Sequence, residues 1–117
     1  MKTTLQQMYE YPVEATLEVI GGKWKTLILC HLTDGPKRTS ELKKLIPEIT
    51  QKMLTQQLRE LEEDGVILRT VYNQVPPKVV YELSELGESL RPVIDVMCDW
   101  GERFIQGKLP KSGDSGQ

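Results

Sequence analysis

The side chains best suited to directional hydrogen bonding lie together between positions 50 and 59. They are amides, hydroxyls and two cations, namely Thr50, Gln51, Lys52, Thr55, Gln56 and Arg59. In a helix beginning after Thr50, the apolar Leu54, Leu58 and Leu61 would face the opposite side. Glutamine can pair with adenine, arginine and lysine can pair with guanine, and threonine can contact the thymine methyl group. The pattern favours recognition of bases, and its alternative is an ordinary solvated helix face.

A second set of polar residues flanks this segment and suits contacts with phosphate. Its members are cations, amides and a hydroxyl, namely Arg38, Ser40, Lys43, Asn73, Gln74 and Lys78. Such side chains bind phosphate oxygens without reading base sequence. The three later residues could also enter a minor groove. Solvated surface residues with no partner are the alternative for any one of them.

Charge is distributed unevenly along the chain. The 117 residues carry 15 basic and 17 acidic side chains, a net charge of −2, whereas nucleic-acid-binding domains are usually basic. Residues 23–59 hold 8 basic and 3 acidic side chains (+5), and the remainder holds 7 and 14 (−7), which restores the total of −2. A local basic face can bind phosphate even in an acidic protein.

Length, composition and rare residue types argue against several other classes of protein. A chain of 117 residues with 38% apolar and 27% charged residues is typical of one globular domain. No apolar run approaches the ~18–20 residues of a membrane span, and the N-terminus lacks a signal-peptide core, so we expect a cytoplasmic protein. The single histidine, His31, and the lack of a nucleophile–base pair or phosphate loop predict no enzyme, metal site or cofactor.

Two cysteines, Cys30 and Cys98, are too few for a disulfide scaffold. Cys30 and His31 are neighbours on a predicted helix, so their side chains diverge and chelate one ion poorly. We therefore expect both cysteines to pack in the core.

Apolar residues recur at helical spacing in four segments before position 66. The predicted helices span residues 12–20, 23–32, about 39–46 and 51–63. Thr39 or Ser40 is predicted to cap the third helix, and Thr50 the fourth. The apolar residues of the third helix that we expect to face inward are Leu42, Leu45 and Ile46.

After position 66 the pattern changes to that of strands and a final helix. Residues 67–83 predict a β-hairpin with a tip of about six residues that ends at Lys78. Ser84 is predicted to cap a last helix, which Pro92 should kink or divide in two.

This order of elements predicts a mainly α protein with a small β-hairpin wing, a winged helix-turn-helix. A helix fits the major groove of B-DNA, which is about 12 Å wide, and the flanking helix and hairpin can brace the phosphates. We expect residues 1–106 to form the domain and residues 107–117, rich in glycine, serine and lysine, to form a disordered tail.

The last helix carries more apolar residues than one buried stripe requires. Val93, Met97, Trp100 and Phe104 could serve either the core of the domain or a partner helix. The sequence pattern alone leaves both roles open.

Three long segments resemble the HxlR-type winged helix regulators of bacteria, which are relatives of the MarR-type regulators. The segments are PVEATLEVIGGKWKTLIL, GPKRTSELKKLIPEITQKMLTQQLRELEEDGVI and VPPKVVYELSELGESLRPVIDVMCDWG. The resemblance covers about residues 5–106. It implies a transcriptional regulator, more often a repressor, that binds pseudo-palindromic double-stranded DNA as a homodimer.

The resemblance also implies which residues form the dimer. They come from the N-terminal region and the last helix, namely Met8, Tyr9, Tyr11, Val93, Met97, Trp100 and Phe104. Several members of the family carry a redox-sensing cysteine just before the proline of the first segment. Tyr11 occupies that position here, so thiol sensing at that site is not expected.

Two alternatives remain at the level of sequence. A winged helix used only for protein–protein contact is the second function, although such a module has little reason to concentrate lysine and arginine around a helix-turn-helix. A small-molecule effector could bind between the domain and the dimer helices, near Trp24, Tyr9 or Tyr11.

Overall fold

The computed structural model describes residues 9–110, and the elements follow the order that the sequence predicts. The helices are α1 (Pro12–Ile20), α2 (Lys23–Leu32), α3 (Thr39–Leu45), α4 (Gln51–Glu63), α5 (Glu85–Glu88) and α6 (Arg91–Ile105). The strands are β1 (Lys37–Arg38), β2 (Ile67–Tyr72) and β3 (Lys78–Leu83). The predicted winged helix-turn-helix, with α3 and α4 as its helix pair, is confirmed.

The sheet contains one strand that the sequence analysis missed. Its order is β1-β3-β2 with antiparallel pairing throughout. Lys37 lies opposite Tyr81 and Arg38 opposite Val80, so β1 joins the start of α3 to the wing. A strand of two residues has no periodicity to detect, and it forms only because β3 offers a free edge.

The core lies where α2, α3 and α4 meet the base of the sheet. Leu54, Leu58 and Leu61 are buried as predicted, which holds α4 against the domain by one face. Burial of each leucine stabilises the fold by about 1.5–3 kcal/mol relative to exposure. The opposite face of α4 is thereby presented to solvent.

The prediction for α3 is wrong in two details. The helix is preceded by Arg38 as its N-cap, whose backbone N–H donates to Oε1 of Glu41 at 2.7 Å, so Thr39 and Ser40 lie inside the first turn. Leu42 and Ile46 are buried, but Leu45 is 45% exposed. Leu42 and Ile46 are four residues apart and share the inward side of this short helix, whereas Leu45 lies beside that side.

The junction after the wing is tightly bonded. Ser84 is buried, with its Oγ 2.6 Å from the carbonyl oxygen of Gly65 and 2.9 Å from that of Val66. The same hydroxyl accepts the N–H of Gly87 at 3.0 Å and caps α5 as predicted. The last helix is divided, as one of the two predicted outcomes, and Pro92 stands in the first turn of α6.

Two predictions fall partly or wholly beyond the described residues. Met8 lies outside them, and so do residues 111–117 of the predicted tail, whose disorder stays a prediction. Within residues 9–110, no helix is long and apolar enough to cross a membrane.

Candidate nucleic-acid interface

The exposed face of α4 brings together the residues singled out for base recognition. Gln51, Lys52, Thr55, Gln56 and Arg59 are all exposed and line one open depression of about 660 Å³. Two glutamates at the C-terminal side of the helix complete its lining, namely Glu60 and Glu63. The amides, the hydroxyl and the cations therefore share one continuous surface, and the acidic groups stand at one end of it.

The two amides on this face make long bonds along the helix. Gln51 Nε2 donates to Thr55 Oγ1 at 3.4 Å, and Gln56 Nε2 donates to Glu60 Oε2 at 3.3 Å. Both pairs are exposed, so exchanging either bond for one to a ligand costs little. Lys25 Nζ lies 2.8 Å from Glu60 Oε1, so a cation from α2 partly neutralises the carboxylate nearest this face.

Thr50 has a structural bond in addition to its predicted role in binding. Its Oγ1 accepts the backbone N–H of Met53 at 3.0 Å, which makes it the N-cap of α4, as the sequence predicts. The bond satisfies one of the N–H groups that a helix start leaves unpaired. Thr50 therefore determines where the exposed face of α4 begins.

A second depression gathers cations from two separate parts of the chain. Arg38 and Lys78 both line it, at a volume of about 330 Å³, together with Pro36, Lys37, Glu41 and Val80. The pairing of β1 with β3 causes this proximity. Lys78 is the first residue of β3, opposite Tyr72, with its Nζ 5.4 Å from the centre of the Tyr72 ring. Its predicted position at the hairpin tip is therefore wrong, since it lies in the strand.

The remaining phosphate candidates differ in how freely they are presented. Ser40, Asn73 and Gln74 are exposed, the latter two in the wing loop between β2 and β3. Lys43 is half-buried, and its Nζ donates to the carbonyl oxygen of Pro47 at 3.2 Å. This lysine closes the loop after α3 and would have to give up that bond to contact a phosphate.

Comparison with known proteins identifies the family. The sequence pattern of the family described as "HxlR-like helix-turn-helix" matches residues 19–108, which is most of the chain. The chain belongs to the HxlR-like helix-turn-helix family. All the exposed residues of α4 described above lie inside the matched segment.

The relatives of this HxlR-like protein are transcriptional regulators rather than enzymes. YtcD, an uncharacterised HTH-type transcriptional regulator of Bacillus subtilis (strain 168), is 71% identical over 100 residues, covering 86% of this chain and 79% of YtcD. The crystal structure of ytcD matches with a TM-score of 0.77 and 71% identity, covering 82% of this chain and 98% of that one. The redox regulator HypR in its oxidised form matches with a TM-score of 0.76 and 56% identity, covering 79% and 95%. A DNA-binding transcriptional regulator fits both the family and the surface.

Two cations of this HxlR-like protein were missed in the sequence analysis. Arg69, on β2, is exposed and lines a depression of about 290 Å³ with Thr55, Arg59, Glu62 and Tyr81. Lys37 lines the depression that holds Arg38 and Lys78. The predicted hairpin could have indicated Arg69, because a cation on the first strand of the hairpin can lie beside the helix that precedes it. Arg69 brings positive charge to the edge of the α4 face, and Lys37 adds a third cation to the depression between β1 and the wing.

Large apolar side chains are also exposed on the first helix and on the last helix. Val13 and Leu17 of α1 are 62% and 58% exposed, although they lie on the apolar side of their helix. Ile94 is the buried residue of α6, whereas its other large apolar residues are exposed, namely Val93, Val96, Met97, Trp100, Phe104 and Ile105. The rings of Trp100 and Phe104 stack at 5.2 Å. The sequence pattern left two roles open for Val93, Met97, Trp100 and Phe104. Because they are exposed, they do not pack in the core of their own chain.

The prediction that both cysteines pack in the core is wrong for Cys98, which is exposed on α6, whereas Cys30 on α2 is half-buried. Among residues 9–110, no three or more histidine, cysteine, aspartate or glutamate side chains stand close enough to hold a metal ion.

Proposed function

We propose that this regulator binds pseudo-palindromic operator DNA as a homodimer and represses transcription. The exposed face of α4 carries the proposal, because amides, a hydroxyl and Arg59 lie side by side on a helix anchored by its other face. A helix so mounted can enter a major groove and contact base edges. Repression requires only that the bound protein occupies promoter DNA.

Base recognition belongs to the middle of α4. Gln51 and Gln56 have the donor and acceptor pair that adenine requires, Lys52 and Arg59 suit guanine, and Thr55 suits the thymine methyl group. Thr50 stands at the start of the helix, where its hydroxyl hydrogen is still free to donate.

Phosphate contacts are assigned to residues outside α4. Arg38, Ser40 and Lys43 belong to β1 and α3, and Asn73, Gln74 and Lys78 belong to the wing, which β1 joins. Lys37 and Arg69 join them, because they line the same depressions as Arg38 and Arg59. The result is a basic border around the helix, which supports electrostatic docking before bases are read.

The homodimer is proposed from the exposed apolar residues of α1 and α6. Exposed apolar patches of this kind mark contact sites between proteins. Its contacts are assigned to Tyr9, Tyr11, Val93, Met97, Trp100 and Phe104, and to Met8 beyond the described residues. Two copies related by a two-fold axis could place their α4 helices about 34–36 Å apart, one turn of DNA.

An apolar depression between α1 and α5 measures about 200 Å³ and is lined by Ala15, Thr16, Val19, Leu86, Ser89 and Leu90. Pockets for drug-sized ligands usually measure about 300–1,000 Å³. A larger effector would therefore need a site completed by the second subunit.

The test is DNA binding by fluorescence anisotropy at two salt concentrations. The purified protein is titrated onto DNA from upstream of its own gene at about 50 and 200 mM salt, with random DNA as competitor. We expect preference over random DNA, and a fall in affinity of ~10³-fold or more if 6–10 phosphates are contacted. Affinity that ignores salt would contradict the proposal and favour a protein-interaction module. In vitro transcription from the same fragment then tests repression.

A further inference from the structure

The two cysteines of the chain meet across two helices. Cys30 lies on α2 and Cys98 on α6, 68 residues apart in sequence, and their Sγ atoms are 3.6 Å apart. A disulfide requires an S–S distance of about 2.05 Å and Cβ atoms about 3.5–4.5 Å apart. The sulfurs therefore need to approach by only about 1.5 Å, a distance that small side-chain rotations can cover.

The two thiols differ in their exposure to solvent, and this difference indicates which one reacts first. Cys98 is exposed, so a reagent in solution can reach it. Cys30 is half-buried, and burial together with the adjacent Cys98 raises the pKa of its thiol to about 11. The exposed Cys98 thiolate is thus the first nucleophile, and Cys30 is the resolving thiol beside it.

We propose that Cys30 and Cys98 form a redox-active dithiol site that small-molecule disulfides, such as glutathione disulfide, convert into an intrachain disulfide. In the first step the Cys98 thiolate attacks one sulfur of the oxidant, forming a mixed disulfide and releasing one thiol. In the second step Cys30 loses its proton to solvent and attacks Cys98 Sγ, releasing the second thiol. The two cysteines are oxidised by two electrons, and the external disulfide is reduced to two thiols.

The bond would tie the middle of α6 to the domain. Ile94 is the buried residue of α6, and Arg91 Nη1 donates to the carbonyl oxygen of Thr33 at 2.8 Å, so both anchors lie in the N-terminal half of the helix. A bond at Cys98 would add a covalent anchor further along. The site follows from the positions of two sulfurs and does not depend on DNA binding or on the homodimer.

The test uses the full chain, first fully reduced and then incubated with glutathione disulfide. Reaction with a thiol reagent should fall from two thiols per chain to none, and the intact mass should fall by two hydrogens with no glutathione retained. Trypsin should release residues 26–37 linked to residues 79–103, which contain Cys30 and Cys98 respectively. Dithiothreitol should reverse each change.

Two single variants make the assignment specific. Cys30→Ser should keep a stable glutathione adduct on Cys98, because the resolving thiol is gone, and Cys98→Ser should react slowly or not at all. Oxidised wild-type protein should also unfold at a temperature higher by roughly 10 °C, because the bond closes a long loop.

Two results would overturn the inference. One is a lasting glutathione adduct on the wild-type protein, which would show that Cys30 cannot resolve it. The other is a disulfide-linked dimer formed equally by wild type and by Cys30→Ser, which would place the reactive pair between two Cys98 residues of different chains. Circular dichroism of each variant confirms that the comparison is made on folded protein.

Discussion

Arg59 is an exposed cation on α4. It lines both the depression along the helix and the one that reaches Arg69 and Tyr81 on the sheet. Its guanidinium is exposed, on the side of α4 opposite the buried Leu54, Leu58 and Leu61. Its planar donors match the two acceptors of guanine.

Arg59→Ala should weaken binding to the operator by roughly 5- to 150-fold, corresponding to about 1–3 kcal/mol, and relax base preference at one position. Lys108→Ala, which also removes one positive charge from an exposed site, is the matched control and should bind like wild type. Anisotropy with single-base operator variants measures both effects. Equal losses in the two variants would show that Arg59 contributes only net charge.

Arg69 is expected to act through phosphate. Arg69→Ala should weaken binding to all sequences alike and lower the salt slope by about one, since one released counterion corresponds to about one unit of that slope. The measurement is affinity over a salt series on operator and random DNA. An unchanged slope would remove this arginine from the interface.

The two ends of α4 are fixed by its N-cap and by the junction after the wing, where Ser84 Oγ bonds the carbonyl oxygens of Gly65 and Val66. Thr50 begins the helix, and Ser84 with Gly87 joins the end of β3 to α5. A Cβ on Gly87 would stand 2.2 Å from the carbonyl oxygen of Val66, whereas one on Gly101 of α6 would meet no atom within 4 Å. A side chain therefore fits at position 101 but not at position 87.

Gly87→Ala should destabilise the protein by about 1–3 kcal/mol, because the backbone must move to relieve the overlap. Gly101→Ala is the matched control, and it should be neutral or stabilise by up to ~1 kcal/mol, since alanine favours a helix interior. Urea unfolding at one protein concentration compares the two. Equal stability of both variants would contradict the close approach at Gly87.

Thr50→Ala should lower the free energy of unfolding by about 0.5–2 kcal/mol, because the N–H of Met53 loses its acceptor. Thr50→Ser keeps the hydroxyl and should retain most of that stability. If serine restores stability but not operator affinity, the threonine methyl group contacts the DNA as well.

The exposed apolar residues of α1 and α6 are the part of the molecule that its own chain leaves uncovered. Trp100 and Phe104 stack on each other, at 53% and 62% exposure, outside the core of their own chain. A second copy is the proposed cover. Binding to a two-fold operator would then depend on this surface as much as on α4.

Trp100→Glu should convert the protein to monomers and lower operator affinity, because a charge would be buried between subunits. Leu68→Glu is a matched control for assembly, since Leu68 is a similarly exposed apolar residue (50%) on a different element, β2. Analytical ultracentrifugation gives the assembly state of each. A wild-type protein that sediments as a monomer at every concentration would refute the dimer.

The local structure follows from patterns within short segments of the chain. Helical spacing of Leu54, Leu58 and Leu61 predicted both the bounds of α4 and its exposed face, because periodicity and capping are properties of neighbouring residues. The same applies to the hairpin and to the break near Pro92. The resemblance extended that local pattern to a family, which the comparisons confirm.

Contacts between residues far apart in sequence depend on how the elements pack. The pairing of β1 with β3 brings Arg38 to Lys78, and the packing of α6 on α2 brings Cys98 to Cys30. Each depends on how elements far apart in sequence share one core, and no periodicity within a segment records that arrangement.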